Sequence, residues 1–360
     1  MQPRLSGLRI GYAPYDETLT RPGDKRRFPS YAKRRELKFE IADPRKEYDL
    51  LVVSAGSDIT TWLKYSQRQA KIIFDSVDSY LAIPKLQIKG LLRGSAKFIF
   101  GESRHLVLSY RKALEDICRK SDAVVCSTLE QKQDISRLCS DVHIILDLHE
   151  DYTRAVKTDY STGEVFNFVW EGLPLIVESF FEIRSELRAL QKKRKFALHL
   201  VTAAQYGRFL SGGKIWKGST IDLIAGMFDR VYLYSWNELT AAKIIASCDL
   251  ALIPIPLGDP LYAGKPENKL LIFWRMGVPT LVSATPAYSR VMEQSGINMT
   301  ARNPQEWLAK LEHYMSNEEA RRDAGERGKL FVEQHYSFEK ILSQWDGVLE
   351  SVMGLRAVGA

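Results

Sequence analysis

The chain has 360 residues, more than one ordinary domain holds, so two domains are expected. With 45% apolar and 26% charged residues it has the composition of a globular protein, which excludes general disorder. No uninterrupted apolar run approaches the roughly 20 residues that span a bilayer, and Met1-Gln2-Pro3-Arg4 lacks the apolar stretch of an export signal, so a cytosolic protein is expected.

In chain order, the apolar runs read as alternating strands and helices. A strand is expected over 8–12, with two more over 48–54 (YDLLVVS) and 71–75 (KIIFD). Such runs, apolar without alternation, suit strands buried on both faces of a parallel sheet. Between the first two lies a basic segment, with Arg21, Lys25, Arg26, Arg27, Lys33, Arg34, Arg35 and Lys38 against Asp24 and Glu36. Its Pro, Gly, Phe28 and Tyr31 predict a loop that presents Arg26, Arg27, Arg34 and Arg35 to a phosphate-rich partner or an anionic membrane surface. No nucleic-acid reading motif accompanies these charges, so nucleic acid is not an expected partner. Asp75 and Asp78 follow the third strand, where open sheets place site residues, and are expected to be catalytic. For Asp78, helix capping is the equal alternative.

A helix over 110–120, a strand over 123–127, a helix over 128–138 and a strand over 142–146 complete a set of βαβ units. The four cysteines (Cys118, Cys126, Cys139, Cys248) show neither CxxC spacing nor a histidine pattern and read as buried thiols, with no metal site. His149 reads as structural. Residues 152–164 are polar and strandless, the expected linker.

The pattern then restarts. Strands are expected over 165–170, 196–202, 231–234, 249–254 and 279–283, with helices over 175–190, 237–247 (capped by Asn237) and 268–276. Lys192-Lys193-Arg194-Lys195 suits a solvated helix end as well as a phosphate-rich partner. Helices over 304–315, 317–335 and 338–353 close the chain. The economical reading is two doubly wound Rossmann-like α/β domains, residues 1–160 and 161–336, facing across a cleft. The helix within 337–360 is expected to pack back on the first domain.

The most informative stretch is 247–283. Pro266 suits the first position of a helix, whose N-terminal amides, with Lys265 and Lys269 beside them, would grip a phosphate. Here the chain resembles the GT-B glycosyltransferases, most closely the retaining family 4 of the polysaccharide-assembly type. The resemblance is carried by Ser247-Cys248-Asp249-Leu250, the loop 256–266, Asn268-Lys269-Leu270 and Gly277-Val278-Pro279. Upstream, Phe168-Val169-Trp170-Glu171-Gly172 resembles the first strand and glycine loop of the family's donor domain. Ile73 to Tyr80 and Ser121 to Ser127 resemble two strands of its acceptor domain. The resemblance spans nearly the whole chain.

That likeness implies transfer of a sugar from a nucleotide-sugar to a saccharide or lipid-linked saccharide acceptor, without metal or cofactor and with retention. The site would lie in the cytoplasm, at the inner face of a membrane for a lipid-linked acceptor. It makes Lys269 the leaving-group cation, Asp75 and Asp78 the residues that orient or deprotonate the acceptor hydroxyl, the arginines of the basic segment an acceptor or membrane surface, and Gly172, Lys265, Glu267 and Asn268 donor-binding residues. The family's two glutamates fall on Gly264 and Ile272, and its Arg/Lys pair is missing after Trp170. Arg208, Lys214 and Lys217 are the expected replacements for that pair, and Glu267 for a sugar or ribose contact. Two further readings stay open: a nucleotide-sugar epimerase or hydrolase on the same fold, and a catalytically silent GT-B binding subunit.

Overall fold

The computed structural model describes residues 7–66, 70–83, 105, 109–209 and 215–354. The chain forms two units, each built on a six-stranded parallel sheet. In the first, β1 (Ile10–Ala13), β2 (Glu40–Ile41), β3 (Leu50–Ser54), β4 (Lys71–Asp75), β5 (Ala123–Cys126) and β6 (Val142–Ile144) lie in the order β2-β1-β3-β4-β5-β6. β3 shows why its run is continuously apolar. Leu51 and Val53 enter one buried cluster and Leu50 and Val52 the other, so alternation serves two cores.

The second unit contains β7 (Phe166–Glu171), β8 (Phe196–Thr202), the antiparallel hairpin β9 (Gln205–Phe209) and β10 (Ile215–Ser219), then β11 (Val231–Ser235), β12 (Leu250–Ile253), β13 (Thr280–Ser283) and β14 (Thr300–Ala301). Its sheet order is β11-β8-β7-β12-β13-β14. The hairpin, β2 and β14 are too short or too polar to register as apolar runs.

The units change hands at Leu148/His149, earlier than residue 160. Residues 152–164 are irregular apart from a short 3₁₀ turn at Glu150–Tyr152, yet they belong to the second unit because their side chains reach into it. Lys157 Nζ donates to the Cys248 carbonyl (2.8 Å), Tyr160 Oη to that of Gly277 (2.8 Å), and Arg321 holds the Tyr160 carbonyl (2.7 Å). The helix Phe338–Val352 is part of the first unit. Trp345, fully buried, stacks on Tyr31 at 5.8 Å, and Tyr31 Oη donates to Asp346 (2.9 Å).

The basic segment differs most from expectation. It folds into two short helices, Pro22–Lys25 and Phe28–Arg34, whose Phe28 and Tyr31 lie wholly in the core. Arg27 is also fully buried, paired with Asp75 and Asp147 and donating to the Ile145 carbonyl. It presents nothing to a surface. Arg35 is turned onto the C-terminal helix by Asp346 and Glu339 (2.6 Å each), and Arg34 donates to Ser30 Oγ (2.8 Å). Arg26 is half-buried; the exposed cations of the segment are Arg21, Lys25, Lys33 and Lys38. The cluster at 192–195 works locally, with Lys193 and Lys195 paired to Glu312 and Glu164 and Arg194 capping the Met315 carbonyl.

His199 on β8 carries a pH signature. Its ring lies 3.1 Å from both Tyr234 Oη and Asn167 Oδ1 and stacks on Tyr232, and burial lowers its pKa from 6.5. The unfolded chain therefore takes up the proton first as pH falls, so stability is full above about 6.5 and declines towards the lower folded value. Thermal melts between about pH 7.5 and 5 are expected to show a fall that His199→Gln lacks; parallel pH profiles would remove His199 from the account.

Candidate functional site

Parallel sheets bind ligands at the carboxyl edge where strand order reverses. In the second unit that point lies between β7 and β12, since β7 pairs β8 on one side and β12 on the other. Gly172 directly follows β7, and the helix Asn268–Arg275 follows β12. The Lys269 ammonium lies over the Trp170 ring, 4.9 Å from its centroid. A Cβ at Gly172 would stand 2.7 Å from Lys269 Nζ and 2.8 Å from Trp170 Cζ2, so only glycine leaves the ammonium its place. The two halves of the predicted grip thus meet within one unit.

The helix starts where its expected range of 268–276 starts, but two positions after the proline expected to open it. Glu267 is its N-cap and Asn268 its first residue, so Pro266 precedes the helix instead of opening it. The first intrahelical bond runs from the Leu271 amide to the Glu267 carbonyl (3.0 Å), which directs the amides of Asn268, Lys269 and Leu270 towards the N-terminal end. Gly277, at φ +69°, closes the other end, with Val278 N–H donating to Phe273 and Gly277 N–H to Trp274. Tyr336 ties both ends together. Its hydroxyl donates to Glu267 (3.3 Å) and its carbonyl accepts from Arg275 (2.5 Å). Burial, then the Glu267 charge, hold its phenol well above the ordinary range. Tyr288 is raised the same way by burial, then by Glu267 and Glu171, which places both carboxylates near one buried phenol.

Not every expected residue joins this group. Lys265 and Gly264 belong to the first unit. Arg208 contributes backbone to β9, and Lys214 lies outside the described residues. Lys217, on β10, is exposed. Ile272 is buried in the helix's apolar face, so no carboxylate stands at that helical position. Asn237 does not cap its helix, which starts at Ala241; its side chain accepts from the Leu239 amide (2.8 Å) in a turn instead. Trp170 is fully buried and combines core packing with the contact to Lys269. Glu171, Tyr288 and Tyr336 escaped the sequence reading. Only Glu171 carried a local signal, its place beside Gly172.

In the first unit the reversal lies between β1 and β3. There the Tyr15 ring lies flat on Gly56, where a Cβ would come within 1.9 Å of its Cδ1. Asp75 is buried in the Arg27 pair and is not open to an acceptor. Asp78 is half-buried, and its carboxylate makes no hydrogen bond or ion pair among the described residues; the following 3₁₀ turn is preceded by Ser79, so Asp78 is not its cap. Burial, then Asp78 and Asp75, hold the Tyr15 phenol well above its ordinary value, so Tyr15 and Asp78 share this edge.

Residues 188–347 match the family model described as glycosyl transferase-like. The chain has the GT-B fold, with a glycosyl transferase-like stretch that lies largely in its second unit. Among solved structures, it is similar to HepE of Anabaena in complex with UDP and glucose, at 10% identity and TM-score 0.61, covering 96% of this chain and 100% of that one. A glycosyltransferase from Rickettsia africae matches at 11% identity and TM-score 0.57, covering 90% and 87%. TarM of S. aureus, solved as a mutant with fondaparinux, α-GlcNAc-glycerol and UDP, matches at 11% identity and TM-score 0.55, covering 83% of this chain. The chain spans about half of TarM's length, 55%. No curated protein matches the sequence. Among the described residues no helix is long and apolar enough to cross a membrane.

Proposed function

We propose that the chain is a glycosyltransferase that moves a sugar from a nucleoside diphosphate sugar to a saccharide acceptor, with retention and without a metal ion. The observation that carries the reading is the meeting of Lys269, Gly172 and a helix N-terminus at the carboxyl edge where β7 and β12 part. As the bond from the anomeric carbon to the diphosphate breaks, negative charge grows on the leaving oxygen. A fixed ammonium and aligned amides stabilise that charge more than the ground state, which is the condition for catalysis. Retention follows if the departing phosphate also takes the acceptor proton from the same face. The complexes of HepE and TarM with UDP favour a uridine donor.

Calorimetric titration with UDP, GDP, dTDP and CDP tests the reading. One nucleotide is expected to bind, and Gly172→Ala to weaken it about tenfold or more, since the added methyl takes the ammonium's place. Silence across the panel would favour a binding subunit without catalysis. We also infer a lipid-linked acceptor at an anionic surface, now carried by the exposed Arg21, Lys25, Lys33 and Lys38. Flotation should be stronger with anionic than with zwitterionic vesicles, and indifference to lipid charge would end this part.

A further inference from the structure

A groove of 450 Å³ lies in the first unit, between the edge strand β6 and the C-terminal helix Phe338–Val352. That volume is in the range of small-ligand sites, roughly 300–1,000 Å³. Its floor is Ile144 and Ile145, and its rim carries Lys132, His143, Gln344 and Glu350. The His143 ring is fixed from behind: Asp141 Oδ1 lies 2.6 Å from Nε2, and Asp141 accepts from Ser351 Oγ (3.3 Å). Its Nδ1 makes no hydrogen bond among the described residues, nor do the polar ends of Lys132, Gln344 and Glu350.

Gly347 lines the same groove in the middle of the helix. Glycine weakens a helix interior relative to alanine, and a close neighbour usually explains it. Here a Cβ would meet nothing within 4 Å. Packing therefore does not require this glycine, and the space beside it is open to the groove. The rim sets one cation against one anion and adds a neutral donor and acceptor over an aliphatic floor. Such a lining rejects a polyanion and suits a neutral, polyhydroxylated ligand.

We propose that this groove is a saccharide-binding subsite, separate from the Gly172–Lys269 grip and serving to hold an extended acceptor. The choice of a sugar as ligand rests on the transferase reading, but binding here needs neither donor nor turnover. Saturation-transfer NMR on the full chain, with maltohexaose and chitohexaose as probes, tests it directly. At least one hexasaccharide is expected to bind with Kd below about 10 mM, and Gly347→Leu, which fills the groove, to weaken it about tenfold or more. Gly347→Ala should raise Tm by about 2 °C, showing that the helix itself gains from a side chain. Should Gly347→Leu fail to fold, Lys132→Ala/Gln344→Ala removes two rim groups without touching the core and should weaken binding similarly. Absence of binding by both sugars, or equal binding by the wild type and the filled variant, overturns the subsite. Nucleotide titration of the same samples reports on the donor grip independently, so the two readings fail separately.

Discussion

Lys269→Ala is expected to lower kcat by about a hundredfold to a thousandfold, the loss typical of removing one preorganised donor to a developing anion. The ammonium is held by its contact with Trp170 and by the gap at Gly172. Binding of the free nucleotide should weaken less than turnover, because charge on the leaving oxygen is greatest as the bond breaks. Lys269→Met separates charge from packing: it keeps an unbranched side chain over Trp170 and should match Ala in kcat while preserving Tm. A variant within about threefold of wild-type kcat would remove Lys269 from the leaving-group role.

Arg27→Ala is expected to destabilise the first unit by about 3–5 kcal/mol, the range for removing one partner of a buried ion pair. The substitution leaves the Asp75 carboxylate, 1% exposed, without the Arg27 cation, and takes one donor from Asp147 and from the Ile145 carbonyl. It also removes the guanidinium from above Trp345, where the C-terminal helix docks. Arg27→Met/Asp75→Leu should recover much of the loss, since an apolar pair of similar volume needs no counter-charge. Urea unfolding of the three proteins checks this. Equal midpoints for wild type and Arg27→Ala would show that the pair contributes nothing.

The contrast between these residues shows what a sequence can convey. Lys269 was legible because its neighbours are local: a proline before the helix, Gly277 after it, and an apolar strand on each side impose a helix start at a sheet's carboxyl edge. Short-range backbone chemistry suffices for that. The strands β3, β4, β8 and the helix Tyr110–Lys120 were legible for the same reason, since burial on two faces or on one stripe imprints a period on the chain.

Arg27 was misread because charge alone says nothing about a partner 48 residues away. In sequence it sits in a run of surface-like cations; in the fold it is enclosed by Asp75, Asp147 and Trp345. Likewise no local signal joins Tyr336 to Glu267, or Gly347 to a groove along β6. The amino-acid sequence by itself determined two α/β halves, their main strands and helices, and the glycine and lysine of the proposed donor grip. The tertiary structure decided which charges are buried, which unit owns 149–164 and Lys265, and which side chains surround the grip. The physical reason is that backbone periodicity is written along the chain, whereas desolvation and ion pairing depend on residues the chain brings together only when folded.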